Sequence, residues 1–568
     1  MTCNDCADIL TERAPTSTEL VQTTDRPPAG VRRRDLLRRL ECGVALLVSI
    51  IIIFLVVVRV THAGALWRDE CAVVQLAQMP TMEDIGRNFQ HEAFPPLFPL
   101  IVRAYMTVFG SSDAALRAFG FLVACLVITA FWINSRLFRN GPPLVGLALL
   151  SLNTTFLVWG TTIRGYGLGS ALVVLMFGCV GSLLVITNRR RIIAALVVCL
   201  LGVQVLLYNS VLLIAIGLSA GAMFLARHYL KQALVILAIC AAAAFSLLPY
   251  IPAYLRARDW NILVRGTPTA YSLWKHFEVA LGNPGYSVPT VWYFIAVALA
   301  GVFIYRLCKS SRPENALSTH FLWYSTLVCG LSLAGCYSFL RLLSYTTSAW
   351  YYLALSCVIA AAVDLVASSL ATKVWLRIIR VGFALVIGIG APFANWSAIT
   401  ERQTNVDLAA RTVAAHAAAH DLVVVVPWQF GIPFQRYYRG AAPWMTIPEI
   451  ADHQVHRYDL MKVKMGSAHP IDDVAEAARS ALRSGNRVWL VGGLNLPKPE
   501  EGPMILPPAP ASRFKWDNRA YTAAWWQQLS VFVVVHSNTV APAFLAQPDS
   551  LRINELEQTS LAVATGWR

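Results

Sequence analysis

Two adjacent carboxylates, Asp69 and Glu70, follow Arg68 where an apolar run from Val44 to Val60 gives way to polar chain. Ionisable groups at a bilayer edge are costly unless they are wet, paired or used. A charged trio at a helix exit is therefore a candidate for chemistry, set against the plainer reading of a solvated loop start. A carboxylate there can take a proton from a hydroxyl, and a guanidinium can meet phosphate oxygens two at a time. His91 and Glu92 stand in the same polar stretch as binding groups, as a second base, or as ordinary loop residues. His453, His456 and Asp459 have metal-like spacing but no second half to a site, and Cys3 with Cys6 forms a CxxC pair without a second pair of ligands.

The elements that must hold these residues are membrane helices. Hydrophobic residues make up 56% of the 568 positions and charged residues 14%, with a mean hydropathy of +0.54, which places the chain among polytopic α-helical membrane proteins. The formal charge of +15 gathers in short clusters such as Arg189-Arg190-Arg191 between apolar runs, not along one face, which argues against nucleic acid as a partner.

A span needs about 20 apolar residues, and about eleven transmembrane helices are expected. After the first, they fall near 113–136, 142–160, 167–187, 192–207, 210–227, 231–250, 291–306, 318–339, 349–369 and 377–394. Arg32, Arg33, Arg34, Arg38 and Arg39 precede the first span, which places the N-terminus in the cytoplasm, and residues 1–40 read as a basic, disordered tail. Alternation then leaves the other basic clusters inside and the segments 61–112, 251–290 and 396–568 outside. Residues 95–109 are read as a surface helix, because a span there would invert every cluster.

The expected membrane domain covers 41–395, and composition changes sharply after it. Residues 396–568 read as a soluble extracytoplasmic α/β domain, with strands at Leu422–Val426 and Val488–Val491 and helices over 402–420 and 472–484. No cysteine follows Cys357, so that domain must be stable without disulfides. Gly492-Gly493 lacks the glycine spacing of a dinucleotide fingerprint.

The order Leu66-Trp67-Arg68-Asp69-Glu70, Phe94-Pro95-Pro96-Leu97-Phe98, Val108-Phe109-Gly110 and Ala115-Leu116-Arg117 resembles the first outer loop and second span of C-type membrane glycosyltransferases. The branch it looks like holds protein O-mannosyltransferases and bacterial aminoarabinose transferases. The resemblance is clearest over 40–190 and extends to Val426-Pro427-Trp428 and Tyr437-Tyr438 in the terminal domain. It implies a sugar carried on polyprenyl phosphate, Asp69 as the base and Glu70 as the second acid of the pair. Thr162-Ile163-Arg164-Gly165-Tyr166 is similar to the family's second outer loop, which adds Arg164 and Tyr166 as substrate-binding candidates. Thr162 stands there in place of the usual acid and Gly165 in place of a proline, and Trp350-Tyr351-Tyr352 replaces an arginine-tyrosine entry. These departures leave metal use and the donor sugar open.

The chemistry of the residues fits that resemblance. A phosphate leaving group departs once its charge is met, so the reaction needs a base and cations more than a general acid. Asp69 can be the base, and Arg68 and Arg164 can be the cations, each set against a merely anchoring role. The expected function is transfer of a hexosyl or pentosyl unit from the lipid-linked donor to an envelope acceptor (lipid, glycan or protein) at the bacterial plasma membrane, by in-line attack with inversion. The polyprenyl-phosphate sugar is the expected donor substrate, no cofactor is assigned beside it, and use of a divalent metal stays open. A lipid-linked glycan polymerase or ligase is the alternative, and a transporter a more distant one, since no pair of related halves is visible.

Overall fold

The computed structural model describes residues 29–568 except 93–94, 309–315, 346, 499, 544 and 546–550. The CxxC pair and most of the expected tail lie outside the described residues. Among those described, eight helices are long and apolar enough to cross a membrane, from Asp35–His62 to Val374–Ile399. The other expected spans are helical but shorter. Arg189–Val205 and Asn209–Leu225 have 17 residues each. The former starts inside the arginine cluster because the Asn188 side chain caps it, accepting from the Arg191 N–H at 2.9 Å.

The run expected as one span over 142–160 is broken into Leu144–Leu152 and Thr154–Trp159. Asn153 makes the break: its side-chain oxygen accepts from the Phe156 N–H at 2.8 Å and its amide donates to Ser356 Oγ at 3.0 Å. The interrupted ladder leaves the Ser151 carbonyl, which takes a bond from Asn395 Nδ2 at 3.1 Å on the last membrane helix. Buried backbone groups in a bilayer must be satisfied inside the protein, and asparagines on facing helices do this here.

Glycines on helices Asp113–Leu137 and Gly165–Ser182 let both pack closely against the turn at Gly160 and Thr161. A Cβ on Gly120 would lie 2.0 Å from the Thr161 carbonyl oxygen, and one on Gly167 would lie 2.0 Å from that of Gly160. Small residues at both contacts let the backbones meet, and these contacts fix the turn 160–164. Segment 97–109 forms the helix Leu97–Phe109.

Beyond Ile399 lies a five-stranded sheet of order β2-β1-β3-β5-β4, formed by β1 (Leu422–Val425), β2 (Trp444–Thr446), β3 (Val488–Val491), β4 (Ser537–Ala543) and β5 (Leu561–Trp567). β1 pairs in parallel with β2 and β3, whereas β5 runs antiparallel to β3 and β4. β1 and β3 are buried throughout because both faces are covered. Leu422, Val424 and Leu490 pack under helices Tyr458–Met465, Asp472–Arg483 and Asn518–His536. The alternate residues Val423, Val425 and Trp489 pack under Val406–His416 and Gly431–Tyr437.

Candidate active site

The helix Arg68–Gln78 begins immediately after the first span turns at Ala63–Ala65, and its first turn carries both acids. Glu70 is fully buried. One of its oxygens accepts from the Ile163 N–H at 2.9 Å and from Arg117 Nη1 at 2.8 Å, and the other accepts from the Trp67 N–H at 3.2 Å. The last contact is half of a capping box, which stops the chain from continuing as a coil at Trp67. Arg117 also donates to the carbonyls of Ala65, at 2.7 Å, and Gly64, at 3.3 Å. Glu70 and Arg117 thus tie together the first span's exit, the second span's start and the turn at Ile163. Glu70, expected beside Asp69 as the second acid of the pair, accepts all three of these bonds from groups inside the protein.

Asp69 points the other way. Its side chain is 21% exposed, against 0% for Glu70 and 1% for both Glu92 and Glu557 nearby. It is the carboxylate of this group that an incoming molecule can reach. Around it stand Arg164 Nη2 at 3.8 Å, Arg68 Nε at 3.6 Å and His456 Nε2 at 3.5 Å. Arg164 is held in turn, donating to Glu92 Oε2 at 2.7 Å and to the Asp69 carbonyl at 3.2 Å. His456 closes the ring, its Nδ1 lying 3.0 Å from Glu92 Oε1. Burial alone would raise the Glu92 carboxyl, but His456 and Arg164 together hold it below the ordinary glutamate range.

Arg68 pairs with Glu557 at 3.1 Å and leaves its terminal amino groups without a hydrogen-bond acceptor among the described residues, so they remain available to an anion. Burial pushes the Glu557 carboxyl up to about 7 against the opposing pull of Arg68. Neither Glu557 oxygen has a hydrogen-bond partner among the described residues.

The remaining candidates separate. His91 is buried away from Asp69, stacked on Trp260 at 6.0 Å and 3.9 Å from Asp459. Trp260 stacks on Tyr458 at 5.5 Å and Tyr458 on His456 at 6.0 Å, so His91 heads a column of rings whose far end is at the site. Tyr166 packs edge-on against Tyr351 at 6.1 Å. Beneath Asp69, Trp67, Trp159 and Trp350 cluster with ring centroids 4.3–5.9 Å apart. Of the histidine group 453–459, His456 reaches Asp69, whereas His453 packs on Trp444 at 4.7 Å. No group of three or more His, Cys, Asp or Glu among the described residues is placed to hold a metal ion.

Sequence reading missed His456 and Glu557 as parts of this site. His456 was marked only as part of the metal-like group 453–459 and Glu557 by nothing local, because each reaches the site only when the terminal domain docks. That docking is specific: Arg436 Nη2 donates to Asp113 Oδ1 at 2.8 Å, Tyr437 Oη donates to Asp113 Oδ2 at 2.8 Å, and the Leu66 N–H donates to Tyr437 Oη at 2.7 Å.

A run of apolar helices with a carboxylate-bearing loop against a small sheet domain has solved counterparts. Crystal structures of ArnT from Cupriavidus metallidurans, bound to undecaprenyl phosphate and in the apo state, superpose with TM-scores of 0.51 and 0.52. Each covers 92% of this chain, and the chain covers 98% and 97% of theirs, at 11% and 10% identity. The fold is that of ArnT. The likeness agrees with the resemblance to C-type membrane glycosyltransferases drawn from the first outer loop, and it extends to the terminal domain. No family profile and no curated protein sequence matches the chain.

Proposed function

We propose that this protein is an integral membrane glycosyltransferase that moves a sugar from a polyprenyl-phosphate carrier to an envelope acceptor on the extracytoplasmic face of a bacterial inner membrane. The observation that carries the reading is the placing of Asp69: the one accessible carboxylate of its cluster, between two guanidiniums. The ArnT fold, with one structure bound to undecaprenyl phosphate, supports the same class of donor.

In this reading the acceptor's hydroxyl or phosphate oxygen attacks the anomeric carbon while the bond to the carrier phosphate breaks. Where the nucleophile is a hydroxyl, its proton passes to Asp69, and a single in-line displacement inverts the centre. The departing phosphate gains charge, which Arg164 and the free end of Arg68 meet. Glu92 and His456 hold Arg164 and Asp69 in place, and Glu70 acts as a positioning residue through the backbone it fixes. Among helices Ala270–Leu281, Val288–Cys308, Ala316–Leu343 and Leu353–Leu370 lies an apolar cavity of 420 Å³ lined by Phe277, Trp292, Leu299, Phe303 and Leu322. Its chemistry suits a prenyl chain.

Transfer from a polyprenyl-phosphate sugar by protein in nanodiscs tests this. Asp69→Asn keeps shape and hydrogen bonding but loses basicity, and turnover should fall by about 10²–10⁴ with donor binding largely kept. Near-normal turnover in that variant would remove Asp69 from the base role.

A further inference from the structure

A second cleft, of 740 Å³, opens where the terminal domain meets the outer helix Arg68–Gln78. Its two walls are locked together by contacts already spoken for: Gln75 Nε2 donates to the Ile432 carbonyl at 3.0 Å, and Arg436 and Tyr437 bond Asp113. Three further amides line it from three separate segments: Gln78 at the end of the outer helix, Gln435 on Gly431–Tyr437, and Gln454 on the loop leading to His456. All three are exposed, and their side-chain amides make no hydrogen bond among the described residues. Met79, Pro80 and the Tyr437 ring add apolar surface between them.

The geometry points to this cleft as a carbohydrate-binding site, taking a glycan through its hydroxyl groups. Each amide offers a donor pair and an acceptor side by side, which matches vicinal hydroxyls, and flat apolar surface suits the C–H face of a sugar ring. Arg436 is neutralised by Asp113, while Arg439, also in the lining, donates to the Tyr438 carbonyl at 2.7 Å and forms no ion pair among the described residues. No strand residue lines the cleft, so strand addition, one way of holding an extended peptide, has no edge to use there. The cleft shares chain with the Asp69 centre, since Gln454 lies two residues from His456 and Tyr437 holds the Leu66 amide. On the transferase reading above, its occupant is the glycan portion of the acceptor, although binding itself requires neither donor nor turnover.

The test is equilibrium binding of chitin-, starch- and mannan-derived oligosaccharides to the full chain in nanodiscs, without donor, beside a serine- and threonine-rich peptide. Saturable binding of at least one oligosaccharide is expected. The combined variant Gln78→Ala, Gln435→Ala, Gln454→Ala, which changes only exposed side chains, should weaken it by about tenfold or more, and Asp69→Asn should bind as the unaltered chain does. Failure of every oligosaccharide to bind, binding that the triple variant retains, or peptide binding that the triple variant loses would overturn the proposal. Because no transfer is measured, failure here is distinct from failure of the transferase reading, which donor turnover tests.

Discussion

Asp69 and Glu70 are neighbours in sequence with opposite surroundings, and their substitutions should separate accordingly. Glu70→Gln keeps the shape but removes the charge opposite buried Arg117. Breaking a buried pair this way typically costs about 3–5 kcal/mol, so a marked fall in melting temperature is expected, whereas Asp69→Asn should melt near the unaltered protein. Equal melting temperatures for both would contradict the anchoring role of Glu70. Glu557 offers a test by pH. Its folded-state carboxyl, raised from the ordinary 4.5 to about 7 by burial despite Arg68, holds its proton more tightly than the unfolded chain does. Its contribution to stability is therefore complete at low pH and is lost as pH rises from about 4.5 through about 7. Glu557→Gln lacks that loss, so its melting temperature relative to the unaltered protein should climb across this window. A flat difference would show that Glu557 does not titrate there. Asp69 stood out because charge beside an apolar run is conspicuous, Arg164 came from the family resemblance of 162–166, and Glu92 was one reading of a loop against ordinary solvation. His456 sat in a polar loop among other polar residues, and its meaning comes only from a contact with Glu92, 364 residues away.

At the scale of elements, the site depends on how closely Asp113–Leu137 and Gly165–Ser182 pack against the turn between Trp159 and Gly165, because that turn carries both the Ile163 amide and Arg164. Gly120→Ala would drive a methyl group into the Thr161 carbonyl, and such overpacking costs about 1–3 kcal/mol. Lower thermal stability and lower transfer are expected together. Gly390→Ala, in a membrane helix where an added Cβ meets nothing within 4 Å, should leave both intact. Equal behaviour of the two variants would show that the close approach is dispensable. Apolar runs exposed the membrane helices to sequence reading, but not the helices Arg68–Gln78, Ala270–Leu281 and Asn518–His536, and the buried strands β1 and β3 announced themselves as continuous valine-rich runs. The break at Asn153 was hidden because one polar residue in an apolar run looks tolerable until its partners Ser356 and Phe156 are in view. β4 was hidden for the opposite reason: Ser537–Ala543 is an edge strand with mostly exposed, polar or small residues and a proline, so it lacks the alternation that marks a half-buried strand.

For the molecule as a whole, contacts dictate which segments share a side of the membrane. His456 and Glu557 reach Asp69 and Arg68, Arg436 and Tyr437 reach Asp113, and the Gln403 N–H donates to the Ala63 carbonyl at 2.8 Å. The outer loop and the terminal domain must therefore lie together, whichever way the chain is inserted. The direction comes from a separate argument, the gathering of arginine and lysine at the other helix ends, such as Arg189–Arg191, which cytoplasmic loops favour. Single cysteines at Thr107, Lys498 and Arg190, all exposed positions, test both arguments at once in a background without reactive native thiols. Thr107→Cys and Lys498→Cys should react with a membrane-impermeant maleimide on intact cells, and Arg190→Cys only after permeabilisation. The fully reversed pattern would refute the charge-based orientation while leaving the fold standing. Labelling that separates Thr107 from Lys498 would refute the docking of the terminal domain on the outer loop, and with it the joint site of Asp69, His456 and Glu557.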